Sequence, residues 1–93
     1  MKVKHVTLNA NQSTKVTLPA KTGEVLVKNF TEGDLLVSIE KEDFTENYVK
    51  IPAQMAEVLT ECELKSSTRS HFFDDLYLKS VAGGEVEIRC LKV

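Results

Sequence analysis

The chain has 93 residues, 42% of them hydrophobic and 28% charged, with a formal net charge of −2 at pH 7. That composition describes one globular domain spanning residues 1–93 and excludes a disordered or collagen-like chain. It lacks the basic face of a nucleic-acid binder and the roughly 20-residue apolar stretch of a membrane-spanning helix, so neither nucleic acid nor membrane insertion is expected.

A chain of this length buries about 65% of the surface it exposes when unfolded. That is enough for one core and leaves little for a deep internal ligand cavity. The start, Met1-Lys2-Val3-Lys4-His5, has no apolar run of the signal-peptide kind, so synthesis in a cytoplasm is expected. There, Cys62 and Cys90 make no disulfide framework. Asn11-Gln12-Ser13 and Asn29-Phe30-Thr31 then match the glycosylation pattern by chance.

No long window repeats apolar residues at helical spacing, whereas short β-branched runs with period-2 alternation recur. The first predicted strand is Val3–Leu8, and Asn9–Ser13 forms a polar turn after it. Thr14–Leu18 follows, with Val16 and Leu18 on one face and Lys15 and Thr17 on the other. Pro19 to Gly23 should break the pairing, since proline removes a donor and glycine permits positive φ. Glu24–Phe30 is the third predicted strand, and the turn Thr31-Glu32-Gly33-Asp34 leads to Leu35–Glu40, with Leu35, Val37 and Ile39 inward. Tyr48–Ile51, Ala56–Glu61, Asp75–Ser80 and Glu85–Lys92 complete a set of eight, the last two with Leu76, Leu78, Val86, Ile88 and Cys90 facing the core. Eight short strands separated by turns predict an all-β domain, a compact β-sandwich or jelly-roll-like barrel of antiparallel strands.

An internal similarity runs through this pattern. Val16, Pro19, Ala20, Glu24, Val25 and Leu26 align without a gap on Val49, Pro52, Ala53, Glu57, Val58 and Leu59, and Asp34-Leu35-Leu36-Val37 resembles Asp75-Leu76-Tyr77-Leu78. One reading is a duplicated strand–turn–strand unit whose halves pack as the two layers of one core. The other is that Pro-Ala turns between strands simply look alike. Under either, the second copy is longer between its matching blocks, and the extra residues fall in Lys65–Asp74. Loops tolerate insertions and often hold binding residues.

The residue types for chemistry are sparse. With only His5 and His71, the histidine-rich metal centre typical of cupins is missing, and no metal or cofactor is expected. Ser70-His71 near Asp74 and Asp75 has the composition of a hydrolytic triad without a nucleophile elbow, and reads better as a solvated loop. Glu40, Glu42, Asp43 and Glu46 lack calcium-loop spacing. Gly83-Gly84 joins strands and opens no helix. Buried cysteines act as small hydrophobes, the role expected of Cys62 and Cys90.

The Lys65–Asp74 segment supplies candidate binding residues instead. Phe72 and Phe73 cannot both point to one side of an extended chain. One can plug the core while the other meets a partner, or both can cover the open end of the sandwich. Arg69 and His71 lie beside them, and Phe44 in the Lys41–Asn47 loop invites the same comparison.

The two Pro-Ala/Glu-Val-Leu blocks at Pro19 and Pro52, with Asp75-Leu-Tyr-Leu-Lys-Ser80 and Ala82-Gly-Gly-Glu-Val-Glu-Ile88, resemble small β-sandwich virion proteins of tailed bacteriophages. These are head-decoration, head-fibre or tail-associated components that commonly form trimers. The resemblance covers roughly residues 14–90. It implies a non-enzymatic structural protein, a homo-oligomer incorporated in a virion, in contact with other structural proteins, with the outward apolar residues Leu36, Leu59 and Tyr77 as candidates for the oligomer interface. A small carbohydrate- or cell-surface-binding module is the alternative. Such a module favours exposed aromatics, and this chain has no Trp and two Tyr.

Overall fold

A computed structural model describes residues 2–39, 44–46, 48–60 and 73–92, apart from the side chains of Lys21, Phe73, Asp74 and Lys92. They form β1 (Lys2–Leu8), β2 (Thr14–Thr22), β3 (Glu24–Asn29), β4 (Leu35–Ser38), β5 (Val49–Ile51), β6 (Ala56–Thr60), β7 (Phe73–Ser80) and β8 (Gly84–Lys92). Two four-stranded sheets have the orders β1-β8-β3-β6 and β2-β7-β4-β5.

The pairs β1·β8, β2·β7, β3·β6 and β4·β5 are all antiparallel neighbours. The chain is thus one long hairpin folded back on itself, with successive pairs assigned to alternate sheets. That arrangement is a jelly roll, the β-sandwich expected from the strand count.

Period-2 alternation builds the core. Val25, Val27, Leu59, Val86 and Ile88 of the first sheet are buried, as are Val16, Leu35, Val37, Ile51, Leu76 and Leu78 of the second. Cys90 is buried among them, its Sγ 3.8 Å from the Ala20 carbonyl. Burial pushes its thiol pKa above the ordinary value, so it behaves as a small hydrophobe. Cys62 lies outside the described residues.

Pro19 acts more gently than expected. The second strand continues to Thr22, but its ladder with β7 is interrupted between Thr17 and Thr22, where the missing proline donor sits. Thr22 Oγ1 then donates to the Glu24 carbonyl (2.8 Å) and closes the tight bend at Gly23.

Two expectations require correction. The similar halves are not the two layers: β2, β4, β5 and β7 share one sheet, while β3 and β6 are neighbours in the other. Exchanging β2, β3, β4 with β5, β6, β7 reverses the order β2-β7-β4-β5, a property of jelly-roll order itself. The side chains do not follow the gap-free alignment either. Directly opposed residues in an antiparallel pair share a face, and Val25 opposes Leu59 while Leu26 opposes Val58. Leu59 is therefore a core residue, 1% exposed, and not part of an outer interface; its neighbour Val58 points out at 42%. The alignment slips by one residue, and in a strand one residue changes the face.

This assignment predicts a sharp contrast between adjacent substitutions. Leu59→Ala should cost about 2–4 kcal/mol in urea unfolding through the cavity it leaves, and Val58→Ala less than about 1 kcal/mol. Equal losses would contradict the register.

Candidate functional site

Chain direction gathers the turns 9–13, 30–34, 52–55 and 81–83 at one end of the sandwich, because β1, β3, β5 and β7 all finish there. The strand ends leading to residues 40–47 and 61–72 are at the other. Arg69, His71 and Phe72, together with Ser70, fall outside the described residues. Phe73 opens β7 opposite Thr22, with its side chain also outside the description. Phe44 is half-buried. The strand ends that lead to the expected binding loops and the four turns thus lie at opposite ends.

The turn end is built on a buried amide. Asn29, the last residue of β3, is 1% exposed. Its Nδ2 donates to the carbonyls of Gly33 (2.9 Å), Ile51 (2.9 Å) and Pro52 (3.1 Å). Its Oδ1 accepts from the Thr31 backbone N–H (2.9 Å) and from Thr31 Oγ1 (2.7 Å). Ser80 Oγ at the end of β7 reaches Thr31 Oγ1 at 3.2 Å. Asn29 from the first sheet thereby ties the turn before β4 to the end of β5, and Thr31 carries the tie on to β7.

Further bonds lock the same turns. The backbone N–H groups of Asn29 and Phe30 donate to the carbonyls of Met55 (2.8 Å) and Glu85 (3.1 Å), and that of Asn11 to Ser80 (2.7 Å). Gln54, held at positive φ, bonds the carbonyls of Phe30 and Thr31 through Nε2, each at 3.0 Å. Gly83 has a φ of 72°, and a Cβ there would stand 2.7 Å from the Ala10 nitrogen and 3.0 Å from the Leu8 carbonyl oxygen. Only glycine fits this approach of the 81–83 turn to the 9–13 turn.

On these pinned turns, large apolar side chains are held in solvent. Phe30 is 49% exposed, Met55 57% and Val81 73%. Beside them, on the outer face of the β2-β7-β4-β5 sheet, lies a concavity of about 350 Å³ lined by Asn11, Asp34, Leu36, Lys50, Lys79 and Val81. Leu36 is opposed by Lys50 on β5 and Lys79 on β7. Tyr77 is diagonal to Leu36 on the same face, and both are half-buried. Two of the three residues expected at an interface therefore do share an outer surface.

Ion pairs lie on both outer faces. On the β1-β8-β3-β6 face, Glu87 accepts from Arg89 Nε at 2.7 Å, with Lys28 Nζ and His5 Nδ1 at 3.9 Å each. On the other, Lys15 meets Asp75 and Lys50 meets Asp34, both at 3.9 Å and largely in solvent. Among the described residues, no three His, Cys, Asp or Glu side chains converge as a metal site.

Sequence reasoning missed Asn29, Thr31 and Gln54, along with the lysines around Leu36. The Asn29-Phe30-Thr31 triplet did carry a signal of a different kind. An Asn followed two residues later by Thr at a tight turn supplies side-chain bonds to the backbone.

Replacing Asn29 with Ala leaves buried carbonyls unpaired and should lower stability by about 3 kcal/mol, read as a reduced urea midpoint at unchanged slope. Asn29→Asp, which keeps the shape but loses the donors, should be no better. A loss under about 0.5 kcal/mol in either would refute the keystone role. Gly83→Ala should cost about 1–3 kcal/mol through strain at the 9–13 turn; thermal unfolding unchanged from wild type would contradict that.

No protein-family model matches this chain, and neither the curated proteins nor the solved structures give a match.

Proposed function

We propose that this is a non-enzymatic assembly domain that forms a homo-oligomer through its turn end. The observation that carries the reading is the trio Phe30, Met55 and Val81, exposed on turns pinned by buried hydrogen bonds. Holding apolar side chains in water is unfavourable, and rigid presentation removes the ordering cost that binding otherwise incurs. Aromatic and Met side chains of this kind are enriched in interface cores.

The sheet edges support an end-on or face-on contact over open-ended strand pairing. Lys2 and Lys4 of edge strand β1 oppose Cys90 and Ile88, and so lie on the core side. Glu57 of edge strand β6 opposes buried Val27 in the same way. Such inward charges discourage edge pairing. Pro19 interrupts β2, and β5 is only three residues long. A closed oligomer is what blunted edges and a sticky end favour together.

A virion setting, with a trimer contacting other structural proteins, rests on the bacteriophage resemblance alone. A sugar-binding reading is less favoured, since no aromatic residue lines the concavity.

Light scattering after size exclusion tests the proposal. The wild-type chain should elute with a mass that is a multiple of 10.4 kDa. The variant Phe30→Ser/Met55→Ser/Val81→Ser should shift towards monomer with an unchanged circular dichroism spectrum. A monomer at every concentration would reject the oligomer, and a triple variant that stays assembled would reject this end as its interface.

A further inference from the structure

The concavity beside the turn end has a chemistry of its own. Register places Lys50 and Lys79 directly opposite Leu36 on either flank, all on the outer face. With strands about 4.8 Å apart, the two lysine backbones stand about 10 Å from each other across an apolar floor. Val81 and Asn11 belong to the rim, and Asn11 is fixed there by its N–H bond to the Ser80 carbonyl. A volume of about 350 Å³ lies within the range of small-ligand sites.

The charges are only partly compensated. Lys50 Nζ is 3.9 Å from Asp34 Oδ2, and both side chains are more than half exposed. Lys79 has no ion-pair partner among the described residues. Two ammonium groups flanking one carboxylate leave a net charge of +1 around a leucine. Glu87 on the opposite face, between Arg89 and Lys28, has the same balance, so it is the concavity over Leu36 that singles this place out.

We propose that this concavity binds a small dicarboxylic acid with a short aliphatic spacer. The spacer lies on Leu36, and one carboxylate meets Lys79 while the other displaces Asp34 from Lys50. Lysine side chains rooted about 10 Å apart can close on a four- to five-carbon diacid with one charge-assisted hydrogen bond at each end. The site shares Val81 with the exposed trio, but the groups that meet the diacid, Leu36, Lys50 and Lys79, lie on the sheet face outside that trio, so Lys50→Gln and Lys79→Gln test it separately from the oligomer reading.

Amide chemical-shift titration of the intact chain tests it, with glutarate, butyrate and inorganic phosphate as probes. Glutarate should give saturable shifts confined to Asn11, Asp34, Leu36, Lys50, Lys79 and Val81. It should bind about tenfold tighter than butyrate or phosphate, the difference expected of one charge-assisted contact. Lys79→Gln and Lys50→Gln should each bring glutarate down to the butyrate level, while Asp34→Asn should tighten binding by removing a competitor. These are surface substitutions, so an unchanged spectrum elsewhere certifies the fold. Non-saturable shifts, equal affinity for all three probes, or equal shifts around Lys15 and Lys28 would overturn the proposal.

Discussion

A buried primary amide is an expensive thing to keep in a small protein unless every one of its bonds is made. Asn29 meets that condition with three carbonyl acceptors and two donors, drawn from the end of β5 and the turns 30–34 and 52–55. Its position at the last residue of β3 is what makes it effective, because the jelly roll brings the ends of β4, β5 and β7 to the same level. Gln54, Ser80 and Gly83 extend the same tie outward to the turns 52–55, 81–83 and 9–13. The apolar core holds the sheets together, and the amide decides how their turns are arranged.

That arrangement explains how an eight-stranded sandwich of modest size can carry a defined surface. Turns usually lose order first, since they bury little and their backbone bonds face water. Here the turn backbone is bonded internally, and the unfavourable exposure of Phe30, Met55 and Val81 is imposed on it. The adjacent sheet face contributes a second kind of surface, a concavity with two lysines about Leu36. Blunted edges fit the proposed oligomer, because they discourage open-ended strand pairing.

Much of the fold was legible because alternation in strands is local. Leu76, Leu78, Val86 and Ile88 face the core as their period-2 pattern requires. The strand order was not legible, because β1·β8 and β2·β7 join the far ends of the chain and no local signal encodes them. Leu59 was misplaced because a sequence alignment conserves residue type while a strand conserves parity: the buried positions change parity across the bend at Gly23, from Leu18 to Val25, and keep it across 52–55, from Ile51 to Leu59. The Asn29-Phe30-Thr31 triplet was seen only as a chance match to the glycosylation pattern. That match gave no hint of burial, which arises only when β5 and β7 close over it. Lys50 and Lys79 looked like ordinary solvated residues until pairing put both opposite Leu36.

Native-state hydrogen exchange reads the central claim most directly, amide by amide. If Asn29 locks the turn end, the N–H groups of Asn11, Asn29, Phe30 and Thr31 should exchange only through opening nearly as costly as global unfolding, like those of Val27 and Leu78. Fast exchange at these four positions, with the central strands still protected, would show that the turns open independently. The account of a pinned recognition end would then fail.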